Sequence, residues 1–262
     1  MTRILTKRDI KKMIEEYKQG DSTCVLGRRY NVSNVAIYNL LKRRNIPMRT
    51  PSQAKQEYKI NEDFFDIIDT EEKAYWLGFI CADGYLNFKR NSLSIGLSKK
   101  DKNQLNKLRL SLDSNHPINE YIYTYSDFVR LYIGNVHITN SLKKYINPNK
   151  TFSLLFPNLQ KNLEQHFIRG YFDGDGCVTG NRKNPQFSLT SNQYFLEELK
   201  KRLISNGLNN TKNEIRHKKQ KSIQTLRYCG INNIKKIYKY LYNNSTIYME
   251  RKKNVFEKFI AS

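Results

Sequence analysis

Twenty-three consecutive residues of this chain lie over a second stretch of it without a gap, and that duplication limits the architecture more than any other feature. YWLGFICADGYLNFKRNSLSIGL, from Tyr75, matches FIRGYFDGDGCVTGNRKNPQFSL, from Phe167, at an offset of 92 positions. Gly78 meets Gly170, Ala82 meets Gly174, Asp83 meets Asp175 and Gly84 meets Gly176; further on, Ile95 and Leu97 meet Phe187 and Leu189. The halves pair again at an offset of 96, RLYIGNVHI against RYCGINNI, which sets Gly134 on Gly230 and Ile138 on Ile234. Two copies of one unit, each roughly 90 to 100 residues long, therefore fill the chain from about position 70 onward.

Each copy reads as a helix, two alternating strands, a second helix (105–112 and 194–205), two more strands and a final helix, so the unit is α+β. In the first helix of both copies, small residues stand four apart: Gly78 and Ala82, then Gly170 and Gly174. That spacing makes a smooth stripe on one face, and each glycine costs about 1 kcal/mol of helix propensity against alanine, which calls for close helix-helix contact in return. Both helices end in Asp-Gly. Gly84 and Gly176 suit the left-handed position after a helix, which leaves Asp83 and Asp175 on the last turn, where the macrodipole disfavours a carboxylate. If the stripes pack together, the two acids converge, and their repulsion calls for a hard divalent cation such as Mg²⁺, with Mn²⁺ as a substitute. The neighbouring DGDG at 173–176 does not make a calcium loop, since Cys177 and Asn184 stand where ligands are needed.

The first 46 residues have a different pattern. Ile10, Met13, Ile14 and Tyr17 recur at helical spacing, with Thr6 placed to cap and Gly20 to terminate. A short helix near 22–29 turns Val25 and Leu26 inward, and a third, capped by Ser33, buries Ala36, Ile37, Leu40 and Leu41. Its other face carries Asn34, Val35, Tyr38, Asn39 and Lys42, with Arg43 and Arg44 near the end. GDSTCVLGRRYNVSNVAIYNLLKRRNI resembles the helix-turn-helix of resolvases and DNA invertases, so these amides and cations are the candidates for base and phosphate contact. PMRTPSQAKQEYK, with two prolines and no periodicity, reads as a linker. The expected organisation is a helix-turn-helix over 1–46, a basic linker over 47–69, and two repeats over 70–160 and 161–262.

Charge narrows the partner. Lys and Arg number 46 against 24 Asp and Glu, a net +22 that finds its complement in nucleic acid. A membrane role is not expected, because no run of 18 apolar residues occurs and the cations are not gathered on one amphipathic helix. MTRILTKRDIKK breaks any signal-peptide core with charge, so the expectation is a cytoplasmic protein, associated with nucleoid or phage DNA and not secreted. Cys24, Cys81, Cys177 and Cys229 form no C-x-x-C pair, which argues against zinc and disulfides and leaves reduced, mostly buried thiols.

WLGFICADG and IRGYFDGDG resemble the paired nine-residue motifs of single-chain LAGLIDADG homing endonucleases, over roughly 70 to 262, and the closing YLYNNSTIYMERKKNVFEKF is similar to intron- and intein-encoded members. The resemblance implies a monomer with internal pseudo-twofold symmetry, two αββαββα repeats whose sheets form a saddle on double-stranded DNA with a long target site. It implies that Asp83 and Asp175 are catalytic and bind the metal, and that the products carry 3′ overhangs. At the sixth motif position the second copy has Asp173 but the first has Cys81, so Asp173 is assigned to capping or interface packing. Members also use a basic residue near the water network, for which Lys218, Lys219 and Lys221 are the candidates, with Arg130 near the equivalent place in the first copy. Bases would be read from Asn87, Lys89, Arg90, Tyr121, Tyr123, Arg130, Tyr132, Arg182, Lys183, Arg216, Lys218 and Arg227, about half of which would face the wrong way. Two other functions share the scaffold: a DNA-binding regulator that does not cut, and an RNA maturase that binds intron RNA and assists splicing.

Overall fold

The computed structural model describes residues 5–48, 58–122, 127–181, 183–208, 215–217 and 223–261. The chain divides into two compact units, Met1–Lys59 and Ile60–Ser262.

The first unit is three helices: α1 (Lys7–Lys18), α2 (Thr23–Tyr30) and α3 (Asn34–Arg43). Each begins where a hydroxyl can satisfy orphan amides. Thr6 and Asp9 form a reciprocal capping box, Ser22 accepts from Val25 N, and Ser33 accepts from Ala36 N. Met13, Tyr17, Leu26, Tyr30, Ile37 and Leu41 make the core. Between α2 and α3 the chain reverses through Asn31 at φ 55°, and Gly27 lets the Val32 carbonyl come so near that a Cβ would stand 2.8 Å from its oxygen. Ala36 is exposed and Leu40 and Val25 half-buried, so the apolar faces of α2 and α3 are narrower than their periodicity predicts.

The second unit is α+β. In chain order come a 3₁₀ turn (Glu62–Phe65), α4 (Glu71–Asp83), β1 (Gly84–Asn87), β2 (Ser92–Ser98), α5 (Lys102–Ser111), β3 (Ile118–Ile122), β4 (Asp127–Gly134) and α6 (Val136–Lys143). After the short α7 (Lys150–Ser153) the order repeats: α8 (Lys161–Asp175), β5 (Gly176–Gly180), β6 (Pro185–Ser191), α9 (Gln193–Ser205), β7 (Ile215–His217), β8 (Gln224–Cys229) and α10 (Ile231–Tyr242), closed by α11 (Glu250–Ile260). The unit begins at Ile60 and not at residue 70: Phe64, Phe65 and Ile68, within the stretch expected to be linker, are buried in its core.

Each repeat holds an antiparallel four-stranded sheet, ordered β1-β2-β4-β3 and β5-β6-β8-β7. The pleat turns Leu93, Ile95, Leu97, Val129, Leu131 and Ile133 of the first sheet into the core and leaves the alternate residues outward. Gly84 pairs with Ile95, which pairs with Leu131 and so with Ile118; the second sheet sets Gly176, Leu189, Leu226 and Ile215 in the same places. Ile95 therefore corresponds to Leu189 and not to Phe187, because the second hairpin is longer; the slip is of two residues, so the core faces are kept. On the last strands Leu131 corresponds to Leu226, which makes Cys229, not Gly230, the counterpart of Gly134.

Three of the four cysteines depart from the burial expected of them. Cys177 and Cys229 fall on the outward side of β5 and β8, and Cys24 on the outer side of α2, so all three are exposed and only Cys81 is buried.

Candidate metal centre and nucleic-acid interface

At the middle of the second unit α4 and α8 cross backbone against backbone. A Cβ on Gly78 would stand 2.0 Å from the Phe167 carbonyl oxygen, and one on Gly170 would stand 1.9 Å from that of Tyr75. Tyr75 and Phe167 are themselves related by the offset of 92, so the contact is exchanged reciprocally, as a twofold interface requires. One turn on, a Cβ at Gly174 would meet Ala82 Cβ at 2.4 Å and the Asp83 carboxylate oxygen at 3.2 Å. Both helices stop together at Asp83 and Asp175. Gly84 and Gly176 are not left-handed: their φ values are −74° and −83°, and each is already the first residue of a strand. Glycine is needed there for room, since a Cβ would stand 2.6 Å from the Ile80 carbonyl oxygen in the first copy and 2.0 Å from the Phe172 ring in the second.

The two carboxylates feel one another. Asp83 is half-buried and its pKa is pushed up to about 6, first by burial and next by the charge of Asp175, while Lys150 and Lys252 pull it down. Asp175 keeps an open path to solvent but is surrounded by enough protein for burial to raise it too, against the same two lysines. Each lysine sits behind a helix end. Lys150 Nζ donates to the carbonyls of Ile80, Cys81 and Ala82 at 3.0, 2.8 and 2.6 Å, and Lys252 Nζ donates to those of Gly174, at 3.4 Å, and Gly176. An ammonium on the last carbonyls offsets the negative end of the helix dipole, and this is how an acid is tolerated there. A cavity of about 300 Å³ opens beside Asp175, lined among others by Lys150, Tyr171, Thr190 and Ser191.

Asp173 is engaged elsewhere. It is fully buried and accepts from Tyr75 OH at 2.7 Å, Tyr242 OH at 3.0 Å and Met249 N at 2.7 Å, so it ties the segment after α10 to the helix pair. Burial raises its carboxyl to about 6 against those donors. Arg169, equally buried, adds bonds to the carbonyls of Leu241 and Ile247 and to Glu71 at 2.6 Å.

Lys218, Lys219, Lys221, Arg182 and Tyr123 lie outside the described residues, and Arg216 is described only as backbone of β7. Lys89, Arg90, Lys183, Arg130 and Tyr132 are exposed on hairpins or outward strand positions, with Arg227, Asn87 and Tyr121 partly so. Asn34, Tyr38, Asn39, Lys42 and Arg43 are exposed along α3. Lys150 and Lys252 were not foreseen, because the segments that carry them share neither spacing nor neighbours; the available signal was a lysine shortly after the last helix of each copy. A further donor set, Asp63, Asp66 and His137, lies within 4.8 Å and could coordinate a divalent metal. Asp66 already accepts from His137 at 2.9 Å and raises its pKa, so a protonated imidazole competes with any ion there.

Residues 162–242 match the family model described as LAGLIDADG-like domain. A curated relative, the uncharacterized protein MJ0314 of Methanocaldococcus jannaschii, is 25% identical over 152 residues, covering 56% of this chain and 56% of that protein. Among solved structures, meganuclease I-SmaMI bound to uncleaveable DNA aligns with a TM-score of 0.49 at 13% identity, over 75% of this chain and 89% of that one. The I-LtrWI LAGLIDADG homing endonuclease bound to target DNA aligns with 0.46 at 13%, over 77% and 91%. Full-length DUF199/WhiA from Thermatoga maritima aligns with 0.48 at 16%, over 77% and 64%. The matched stretch runs from the first turn of α8 to the end of α10, so it is the second αββαββα repeat that is similar to the LAGLIDADG-like domain.

Proposed function

We propose that the protein is a site-specific DNA endonuclease that hydrolyses phosphodiester bonds with divalent metal at Asp83 and Asp175. The observation that carries this reading is the pair of mutually repelling carboxylates at two helix ends locked together by glycine, with a lysine behind each. Two hard oxygen donors whose proton affinity is raised by burial, and at Asp83 also by the charge of Asp175, fit Mg²⁺ or Mn²⁺. Bound there, the ion would supply Lewis acidity to the scissile phosphate and a more acidic water. The chain's own residues do the rest. Asp83 and Asp175 hold the ion, and its charge would add to that of Lys150 and Lys252 in favouring the ionised carboxylates. Lys150 and Lys252, already engaged with two or three carbonyls each, act as fixed positive charge toward the phosphate and not as proton carriers. The net charge of +22 supplies phosphate affinity, the outward faces of the two sheets meet the major groove, and α3 reads a separate segment as a helix-turn-helix. The long target that results suits a monomer.

The test starts from the full chain, which selects duplexes from a randomised DNA pool in EDTA. Selected duplexes are then incubated with Mg²⁺, with Mn²⁺ and with EDTA. Metal-dependent double-strand cutting with 3′ overhangs, lost in Asp175→Asn while binding is retained, supports the proposal. Selection without cutting under any metal refutes it in favour of a regulator, and accelerated splicing of a precursor RNA without cutting favours a maturase.

A further inference from the structure

The two sheets are equal in topology but not in what they present. One row beyond Gly84, the outward side chains across the first sheet are Tyr85, Ser94 and Tyr132, in register through β1, β2 and β4. The same row of the second sheet, one beyond Gly176, holds Cys177, Ser188 and Arg227. Serine is shared at the centre, while an exposed aromatic pair, Tyr85 at 64% and Tyr132 at 47%, faces a thiol and an arginine. Arg227 is only partly exposed, and its Nε has no hydrogen-bond partner among the described residues. The first sheet places its own arginine, Arg130, two residues away along β4, opposite Gly96, whose missing side chain leaves it open. That guanidinium is held in place by two rings, 5.2 Å from the centroids of both Tyr121 and Phe128, which stack at 4.7 Å.

A guanidinium in the major groove pairs bidentately with guanine O6 and N7, whereas a tyrosine, with a single hydroxyl, cannot make that fork and can cover the thymine methyl with its ring. We propose that Arg227 reads a guanine in one half of the DNA target while Tyr85 and Tyr132 read a thymine at the mirror position of the other half. The target then departs from palindromy at that position by chemistry built into the two sheets. Arg130 marks the aromatic half: two strand residues span about 6.8 Å, so its guanine lies about two base pairs from the thymine. This inference rests on the sheets being the DNA-reading faces, as in the function proposed above.

The experiment is a second selection from the randomised pool in EDTA with the full chain and with Arg227→Ala, Arg130→Ala and Tyr132→Ala. Arg227→Ala is expected to lose preference for guanine at one position by about tenfold or more, and Arg130→Ala at a different one in the other half. Uracil in place of the thymine beside the Arg130 position, which removes only the methyl group, is expected to weaken the unaltered protein several-fold and Tyr132→Ala hardly at all. Arg227→Ala lowering affinity equally on all sequences would make that residue a phosphate contact and overturn the inference, as would the same base selected at both mirror positions. Neither result touches the endonuclease reading. Enriched DNA that is never cut refutes the endonuclease but leaves these base assignments to be judged by the same variants, and failure to enrich any DNA overturns both.

Discussion

Replacing Gly170 by alanine tests the feature on which the candidate site depends. The added methyl would stand 1.9 Å from the Tyr75 carbonyl oxygen, 2.8 Å from its carbon and 3.0 Å from Phe79 N. All three are backbone atoms, so no rotamer change relieves the contact and α4 and α8 must part by about 1 Å. Overpacking a core costs about 1 to 3 kcal/mol and occasionally more, and backbone against backbone at the centre belongs at the upper end. Alanine returns about 1 kcal/mol of helix propensity, so the net loss is about 2 kcal/mol. The assay is urea unfolding followed by tryptophan fluorescence. Trp76 is the chain's single tryptophan, fully buried in α4 with its Nε1 bonded to Ser111 at 2.7 Å, so it reports on this unit alone. With a slope of about 2 to 3 kcal/mol per molar, the midpoint should fall by about 1 M. Gly96→Ala is the control: its nearest neighbours would be at 3.8 Å, and the midpoint should hardly move. A Gly170→Ala midpoint equal to that of the unaltered chain would refute the close-contact account and, with it, the reason given for the meeting of Asp83 and Asp175.

Arg169→Met removes the cation of a buried pair, takes that donor from the carbonyls of Leu241 and Ile247 and leaves Glu71 with the amides of Thr246 and Ile247; a loss of about 3 kcal/mol is expected in the same assay. Two histidines should give opposite pH dependence. His166 is held below its ordinary pKa by burial and by Arg169, so the unfolded chain takes the proton more readily; its contribution to stability is present above about pH 6.5 and lost as pH falls. His137 is raised by Asp66, with Asp63 and Glu62 adding to it, so its contribution is present below about pH 6.5 and lost as pH rises through the raised value. Unfolding midpoints at about pH 5.5 and about pH 7.5 should therefore show His166→Gln less sensitive to acid than the unaltered chain and His137→Gln more so; equal slopes would contradict the assignment. Deleting residues 1–59 should leave the fluorescence transition in place but weaken binding to selected DNA and flatten its salt dependence, because those residues carry a surplus of positive charge.

Much of this was legible from periodicity and duplication. The 3.6-residue pattern and the caps Thr6 and Ser33 marked the helices of the first unit, and the paired small residues marked α4 and α8, because both depend on local spacing. What failed was counting through a gap. Matching Gly134 to Gly230 looked natural, but Gly230, at φ 88°, takes the cap position before α10 that Asn135 takes before α6, and the hydrogen-bond register sets Cys229 opposite Gln186 as it sets Gly134 opposite Ser92. One residue of error in a strand reverses its face, and that error falls on Cys229, at the end of β8. The lysines escaped for another reason. Lys150 and Lys252 reach their helix ends from the first turns of α7 and α11, two helices of unlike sequence and length, and a contact made over 68 to 78 positions leaves no local trace.

The clamp formed by Asp173 and Arg169 bears on how such a molecule came to be one polypeptide. Their donors and acceptors include Tyr75 and Glu71 of the other repeat, whose positional equivalents in the second repeat are Phe167 and Leu163. A homodimer of the second half would offer a ring without a hydroxyl to each buried acid and a leucine to each buried guanidinium. The second half is thus matched to the first and mismatched to a copy of itself, which favours pairing within one chain over self-pairing.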